Sequence, residues 1–183
     1  MNVKISVVIP TLNEAQAIGE VVGAVPQGWV QDIFVVDNGS TDDTAEQATL
    51  AGARVICEPR RGYGAACMAG AIAARDSDII VFLDGDRSDD PHQLAAIATP
   101  VLQDQADLVI GSRIEGRLEK GAMPIHGQLG NRLIVFLLHL LYGIYITDIG
   151  SFRAIKTDDL IALKMYPEYL LLKKSLYCLE QNL

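Results

Sequence analysis

Little in this chain would hold a nucleic acid. Its 183 residues carry 15 lysines and arginines against 23 aspartates and glutamates, a net charge of −8, and show no basic stripe of the kind that neutralises backbone phosphates. An anionic small substrate would need local help, from a metal ion or a few placed arginines. Cysteine is scarce and odd in number. Cys57, Cys67 and Cys178 fit no metal-ligand spacing, so reduced, buried thiols and a cytoplasmic location are expected. The apolar run Ile5-Ser6-Val7-Val8-Ile9 stops at Pro10, too short for a signal-peptide core and without a cleavage site, so export is not expected. The intensely apolar stretch at residues 133–142 falls well short of the roughly 20 residues that span a bilayer. It reads as a buried core helix, with a membrane surface as the alternative. Neither internal repeats nor a low-complexity linker interrupt the chain.

Half of the residues are hydrophobic, enough for a substantial core, and the length favours one domain. Strands rich in β-branched residues are expected at residues 4–9, 33–36, 54–57, 78–83 and 107–110. Helical spacing is expected between them: Ala17, Ile18, Val21, Val22 and Val25 after an Asn13 N-cap, a segment from a Ser40/Asp43 capping box to about Ala51, a small-residue helix over residues 65–74, and a helix opened by Asp90-Pro91. Thr157 is expected to cap a last helix near residues 158–163. The alternation without hairpin signals predicts an α/β fold, a mainly parallel sheet flanked by helices on both faces.

In open sheets of this class ligands bind beyond the carboxyl ends of the strands. The predicted strands exit into residues 10–14, 37–40, 58–64, 84–88 and 111–113, so every chemically loaded stretch falls on one rim. Asp84-Gly85-Asp86 follows the doubly buried run Ile79-Ile80-Val81-Phe82-Leu83. Paired carboxylates there suit a hard divalent cation on a diphosphate; a polar turn accounts for the tripeptide alone equally well. Asp37 leaves its strand ahead of a helix start. Gly62 and Gly64, flanked by Arg60 and Arg61, read as an anion site at a helix N-terminus or simply as turn geometry. Residues 114–127 form a long loop of the sort that is usually functional or mobile.

These stretches resemble family-2 glycosyltransferases of GT-A fold, particularly the branch of dolichol-phosphate mannose and glucose synthases. The resemblance is carried by Val7-Val8-Ile9-Pro10-Thr11-Leu12-Asn13-Glu14, Val35-Val36-Asp37-Asn38-Gly39-Ser40-Thr41-Asp42, Arg61-Gly62-Tyr63-Gly64-Ala65-Ala66, Phe82-Leu83-Asp84-Gly85-Asp86, Gly111-Ser112-Arg113 and Asp148-Ile149-Gly150-Ser151-Phe152-Arg153. It implies a GT-A, Rossmann-like catalytic domain over residues 1–165, with an atypical, shortened tail at 166–183. It implies that Pro10, Thr11, Glu14, Asp37 and Gly62 line the nucleotide-sugar pocket, with Asp37 on the base. Asp84 and Asp86 would hold Mg²⁺ or Mn²⁺ on the diphosphate, Ser88 standing where some relatives have a further glutamine ligand. Arg113 and Arg132, joined by Arg153, would face phosphates near the acceptor.

The implied reaction is inverting transfer of a hexose from a UDP- or GDP-linked sugar to an acceptor such as a polyprenyl phosphate, at the cytoplasmic face of a membrane and without a transmembrane segment. An anionic acceptor needs no protein base, whereas a hydroxyl acceptor would need a carboxylate such as Asp89 or Asp90. The competing expectation is a non-catalytic nucleotide-sugar-binding or interaction module lacking the acceptor region, with an apolar patch on which copies could pair. A dinucleotide-dependent dehydrogenase is disfavoured, because Pro10 to Glu14 stands where its glycine fingerprint belongs.

Overall fold

The structure is a computed structural model that describes residues 3–111 and 150–162. Among the described residues six strands form one sheet: β1 (Ile5–Thr11), β2 (Asp32–Asp37), β3 (Arg54–Cys57), β4 (Ile79–Phe82), β5 (Leu108–Ile110) and β6 (Arg153–Lys156), in the order β3-β2-β1-β4-β6-β5. β1 pairs in parallel with β2 and β4, and β2 with β3. β6 runs antiparallel to β4, so the sheet is mainly parallel, as expected.

The strands are apolar on both sides because both sides are covered. Val7, Ile9, Val35, Val55 and Val81 pack with Ile18, Val21 and Val22 of helix α1 (Ile18–Ala24), Ala48 of α2 (Thr44–Leu50), and Leu94, Ile97 and Val101 of the helix that follows a short 3-10 turn at Pro91–Gln93. On the opposite face Val8, Phe34, Val36, Ile80 and Phe82 meet Ala66 and Ala69 of α3 (Tyr63–Ala73). The helix after the 3-10 turn is α4 (Leu94–Leu102), and α5 (Thr157–Ala162) follows β6. None of the described helices is long and apolar enough to cross a membrane.

The small residues of α3 bring its backbone onto the sheet. A Cβ built on Gly70 would lie 2.2 Å from Val8 Cγ1 and 3.0 Å from Val36 Cγ2, a distance no real side chain tolerates. By close contacts the chain divides into two compact units, Met1–Val109 with Phe152–Leu183, and Ile110–Ser151.

Two helix starts differ from expectation. Asn13 is not the cap of α1: it has a positive φ of 59°, and α1 begins at Ile18 after a turn in which Glu14 O accepts from Ala17 N and Ile18 N, both at 2.9 Å. The Ser40/Asp43 capping box does not form either, since Asp43 at the N-cap of α2 makes no side-chain cap bond. In both cases the capping groups have partners in the other loop. Asn13 N donates to Ser40 Oγ at 2.9 Å, and Thr41 N donates to Asn13 Oδ1 at 2.8 Å.

Asp90 does cap as expected, its Oδ1 accepting from His92 N at 3.0 Å. Cys67 is a free thiol. Arg113, Arg132, Cys178, the apolar stretch at 133–142 and the tail at 166–183 lie outside the described residues.

Gly70→Ala, although a better helix former, forces a methyl into Val8 and is expected to cost about 1–3 kcal/mol. Urea unfolding of the two proteins measures it as a lower midpoint at unchanged slope.

Candidate functional site

The parallel register sets the ends of three strands side by side: Thr11 lies opposite Asp37, and Asp37 opposite Cys57. The loops leaving them are then stitched together. Buried Thr11 donates from Oγ1 to Val36 O at 3.2 Å, while its carbonyl accepts from Asn38 N at 3.0 Å. Pro10 is buried one residue earlier in β1. Asp37 is only 8% exposed, and its Oδ1 accepts from Ser40 N at 3.0 Å, so one carboxylate oxygen is committed to shaping the turn.

Asn38, which sequence reasoning passed over, fastens the neighbouring loop. Its Nδ2 donates to Glu58 O at 2.8 Å and Arg60 O at 2.7 Å, and its Oδ1 accepts from Gly62 N at 2.7 Å. Buried Glu58 binds Arg60 through the guanidinium and the backbone N–H. Arg60 therefore braces this loop, while Arg61 lies across Gly39, its Cζ 3.3 Å from where a Cβ would stand. Gly62 has φ +131°, a conformation that suits glycine, and opens α3.

At the exit of β4, Leu83 N donates to Val8 O at 3.1 Å and extends the ladder. The chain then presses onto the end of β1, where a Cβ on Gly85 would lie 2.7 Å from Thr11 Cγ2. Glycine is thus needed between the two aspartates, and the tripeptide is more than a generic polar turn. Buried Asp89 accepts the backbone N–H of Asp84 through Oδ2 at 3.1 Å, and Asp86 Oδ1 accepts from Ser88 N at 2.9 Å. Asp89 is committed to holding this loop and is poorly placed for use as a base.

The local electrostatics show concentrated negative charge. Glu14, across the rim, has its carboxyl pushed above the ordinary range by burial and then by the charges of Asp86, Asp42 and Asp84. Asp42 is held below that range chiefly by its hydrogen bond from the Thr44 hydroxyl, assisted by backbone N–H groups of Ala15 and Thr44. Two acidic side chains on one glycine-hinged loop, with a third carboxyl sensing both, form an all-oxygen donor set that fits Mg²⁺ or Mn²⁺. Among the described residues no group of three or more His, Cys, Asp or Glu side chains could hold a metal ion unaided. Such a cation would take its remaining ligands from water and from a bound diphosphate.

A second cluster adjoins the first. The Tyr63 hydroxyl donates to Asp84 Oδ1 at 3.2 Å. One helical turn on stands Cys67, and the charge of Arg153 acts on both groups. Arg153 lies opposite Phe82 in the β4–β6 ladder, so the structure brings it towards Asp84. Tyr63 was legible only as the middle of Gly-Tyr-Gly, and nothing in that spacing discloses its reach to Asp84.

A family model described as "Glycosyl transferase family 2" matches residues 6–163. The chain is 36% identical over 160 residues to an uncharacterised glycosyltransferase of Mycobacterium bovis, covering 87% of this chain and 70% of that protein. It is 30% identical over 196 residues to the UDP-N-acetylglucosamine–dolichyl-phosphate N-acetylglucosaminyltransferase of Methanococcus voltae, covering 96% of this chain and 77% of that protein. Among solved structures it is similar to glucosyl-3-phosphoglycerate synthase from Mycobacterium tuberculosis in complex with Mn²⁺, UDP and glucosyl-3-phosphoglycerate, with a TM-score of 0.69, 29% identity and 86% of this chain covered. The chain spans 58% of the length of that structure's chain.

Burial pushes the Cys67 thiol up to about 11, with smaller opposing effects from Tyr63 and Arg153. Since the thiolate is the nucleophile, Cys67 is expected to resist iodoacetamide at pH 8 and to react faster as pH rises towards 11. Mass-spectrometric mapping of alkylation at this residue, folded against urea-unfolded, checks this.

Proposed function

Because the chain belongs to glycosyl transferase family 2, we propose that it transfers a hexose from a UDP- or GDP-linked sugar to a phosphate acceptor, with inversion at the anomeric carbon. The observation that carries the reading is the convergence of Thr11, Glu14, Asp37, Gly62, Asp84 and Asp86 on one rim, stitched by Asn38 and closed by the approach of Gly85 to Thr11. Pro10 and Thr11 form a wall at the end of β1, Asp37 receives the base, and the N-terminus of α3 after Gly62 faces the anionic part of the donor. Asp84 and Asp86 hold Mg²⁺ or Mn²⁺, which supplies electrostatic stabilisation of the negative charge that builds on the departing nucleoside diphosphate.

The acceptor is a polyprenyl or dolichyl phosphate. Its support is the dolichyl-phosphate acceptor in the name of the Methanococcus voltae relative, which matches over most of its length. A phosphate oxygen is already an anion and attacks without a general base, which agrees with Asp89 and Asp90 being engaged by backbone N–H groups. Arg113 and Arg132 neutralise phosphate on the acceptor side, and the protein works peripherally at the cytoplasmic face of a membrane.

At a concentration one hundred times its Kd, a nucleoside diphosphate stabilises a protein by about 2.7 kcal/mol. For a chain of this size that raises Tm by on the order of 5–10 °C. UDP or GDP is expected to produce this shift only with Mn²⁺ or Mg²⁺ present, and Asp86→Ala to abolish it; an equal shift in chelator, or in the variant, rules out this site. Transfer of labelled sugar to a short polyprenyl phosphate, with none to 3-phosphoglycerate, tests the acceptor.

A further inference from the structure

We propose that Tyr63 is the positioning residue for the metal-ligating carboxylate of Asp84, coupling the glycine-rich loop that borders the nucleoside pocket to the Asp84-Gly85-Asp86 loop. The inference rests on the metal-dependent donor reading above. A carboxylate that ligates a cation works best when its orientation is fixed by a hydrogen bond from outside the coordination shell. Asp84 is anchored at its backbone by Asp89, which accepts its N–H at 3.1 Å, and at its side chain by the Tyr63 hydroxyl, which donates to Oδ1 at 3.2 Å. The two anchors act on different atoms of the residue, one on the backbone and one on the carboxylate.

Tyr63 is itself placed by an unbroken chain of contacts that begins beside the base-binding residue. Asn38 follows Asp37 directly and holds Gly62 N at 2.7 Å. Gly62, at φ +131°, turns the chain into α3, and Tyr63 is the first residue of that helix. Cys67 lies one turn further along the same helix face, at the i+4 position. The ring is 48% exposed and contributes little to the core, so the hydroxyl can be removed with little effect on folding. Its loss removes one hydrogen bond from Asp84 Oδ1 and leaves both carboxylate oxygens in place.

The test compares wild type, Tyr63→Phe and Asp86→Ala by isothermal titration with UDP and with GDP at graded Mn²⁺, and by Tm without ligand. Tyr63→Phe is expected to keep the wild-type Tm and, at saturating Mn²⁺, the wild-type nucleotide affinity, while the Mn²⁺ concentration giving half-maximal nucleotide binding rises about 10-fold or more. A half-saturation equal to that of wild type, in a wild type that does respond to Mn²⁺, overturns this inference alone and leaves the donor site standing. A Tyr63→Phe protein with lowered Tm and nucleotide binding still weakened at saturating Mn²⁺ also overturns it, because the phenol would then be a structural support. No Mn²⁺ effect on nucleotide binding in wild type overturns both this inference and the reading on which it rests.

Discussion

A parallel sheet covered on both faces leaves little room for polar side chains along its strands, small Ser6 with its hydrogen bond to Ser77 being the exception in β1, so most of its chemistry is driven to the strand ends. In this protein that constraint is severe: Val7, Val8, Ile9, Val35, Val36, Ile80 and Val81 are all essentially inaccessible to solvent. The first residues free to be polar are those at or just beyond the carboxyl ends, and there the chain places Thr11, Glu14, Asp37, Asn38, Asp84 and Asp86. The register of β1, β2 and β3 brings three of those ends level. Burial and strand pairing thus select the location of the site before any ligand is considered.

Two short-range devices then turn a row of loops into one surface. Asn38 uses its amide as a clamp, two donors and one acceptor spent on the backbone of residues 58–62. Gly85 does the complementary work by having no side chain, letting the acidic loop close onto Thr11. Burial and then the charges of Asp86, Asp42 and Asp84 raise the Glu14 carboxyl above its ordinary range, a sign of negative charge gathered on this rim. In the function proposed here, a divalent cation arriving with a diphosphate would relieve that repulsion and let a site of net negative charge bind an anionic donor.

Much of this was legible in the sequence because the signals were redundant. β3 was read residue for residue, since β-branched Val55 and Ile56 are bounded by turn formers, and Asp90-Pro91 announced its helix through both capping and proline geometry. The α/β class followed from strand and helix alternation, and the glycosyl transferase family from motifs in order. What sequence did not disclose were the partnerships between loops. Asn13 and Ser40 have the chemistry of N-caps, yet they cap each other's loops because the fold puts those loops within 3 Å. Tyr63 and Asp84 are 21 residues apart and meet only when α3 lies flat on Val8. The place of β6 between β4 and β5, antiparallel to β4, was likewise not disclosed by the sequence.

The central claim is that Asp84 and Asp86 present one cation to a nucleoside diphosphate. Electron paramagnetic resonance of free Mn²⁺ tests it most directly, because bound Mn²⁺ loses its sharp aqueous signal. Two carboxylates alone should take up Mn²⁺ weakly; adding UDP or GDP should deplete the free signal beyond what nucleotide alone removes, in wild type and not in Asp86→Ala. Depletion that is the same with and without protein, or the same in wild type and variant, would contradict the account.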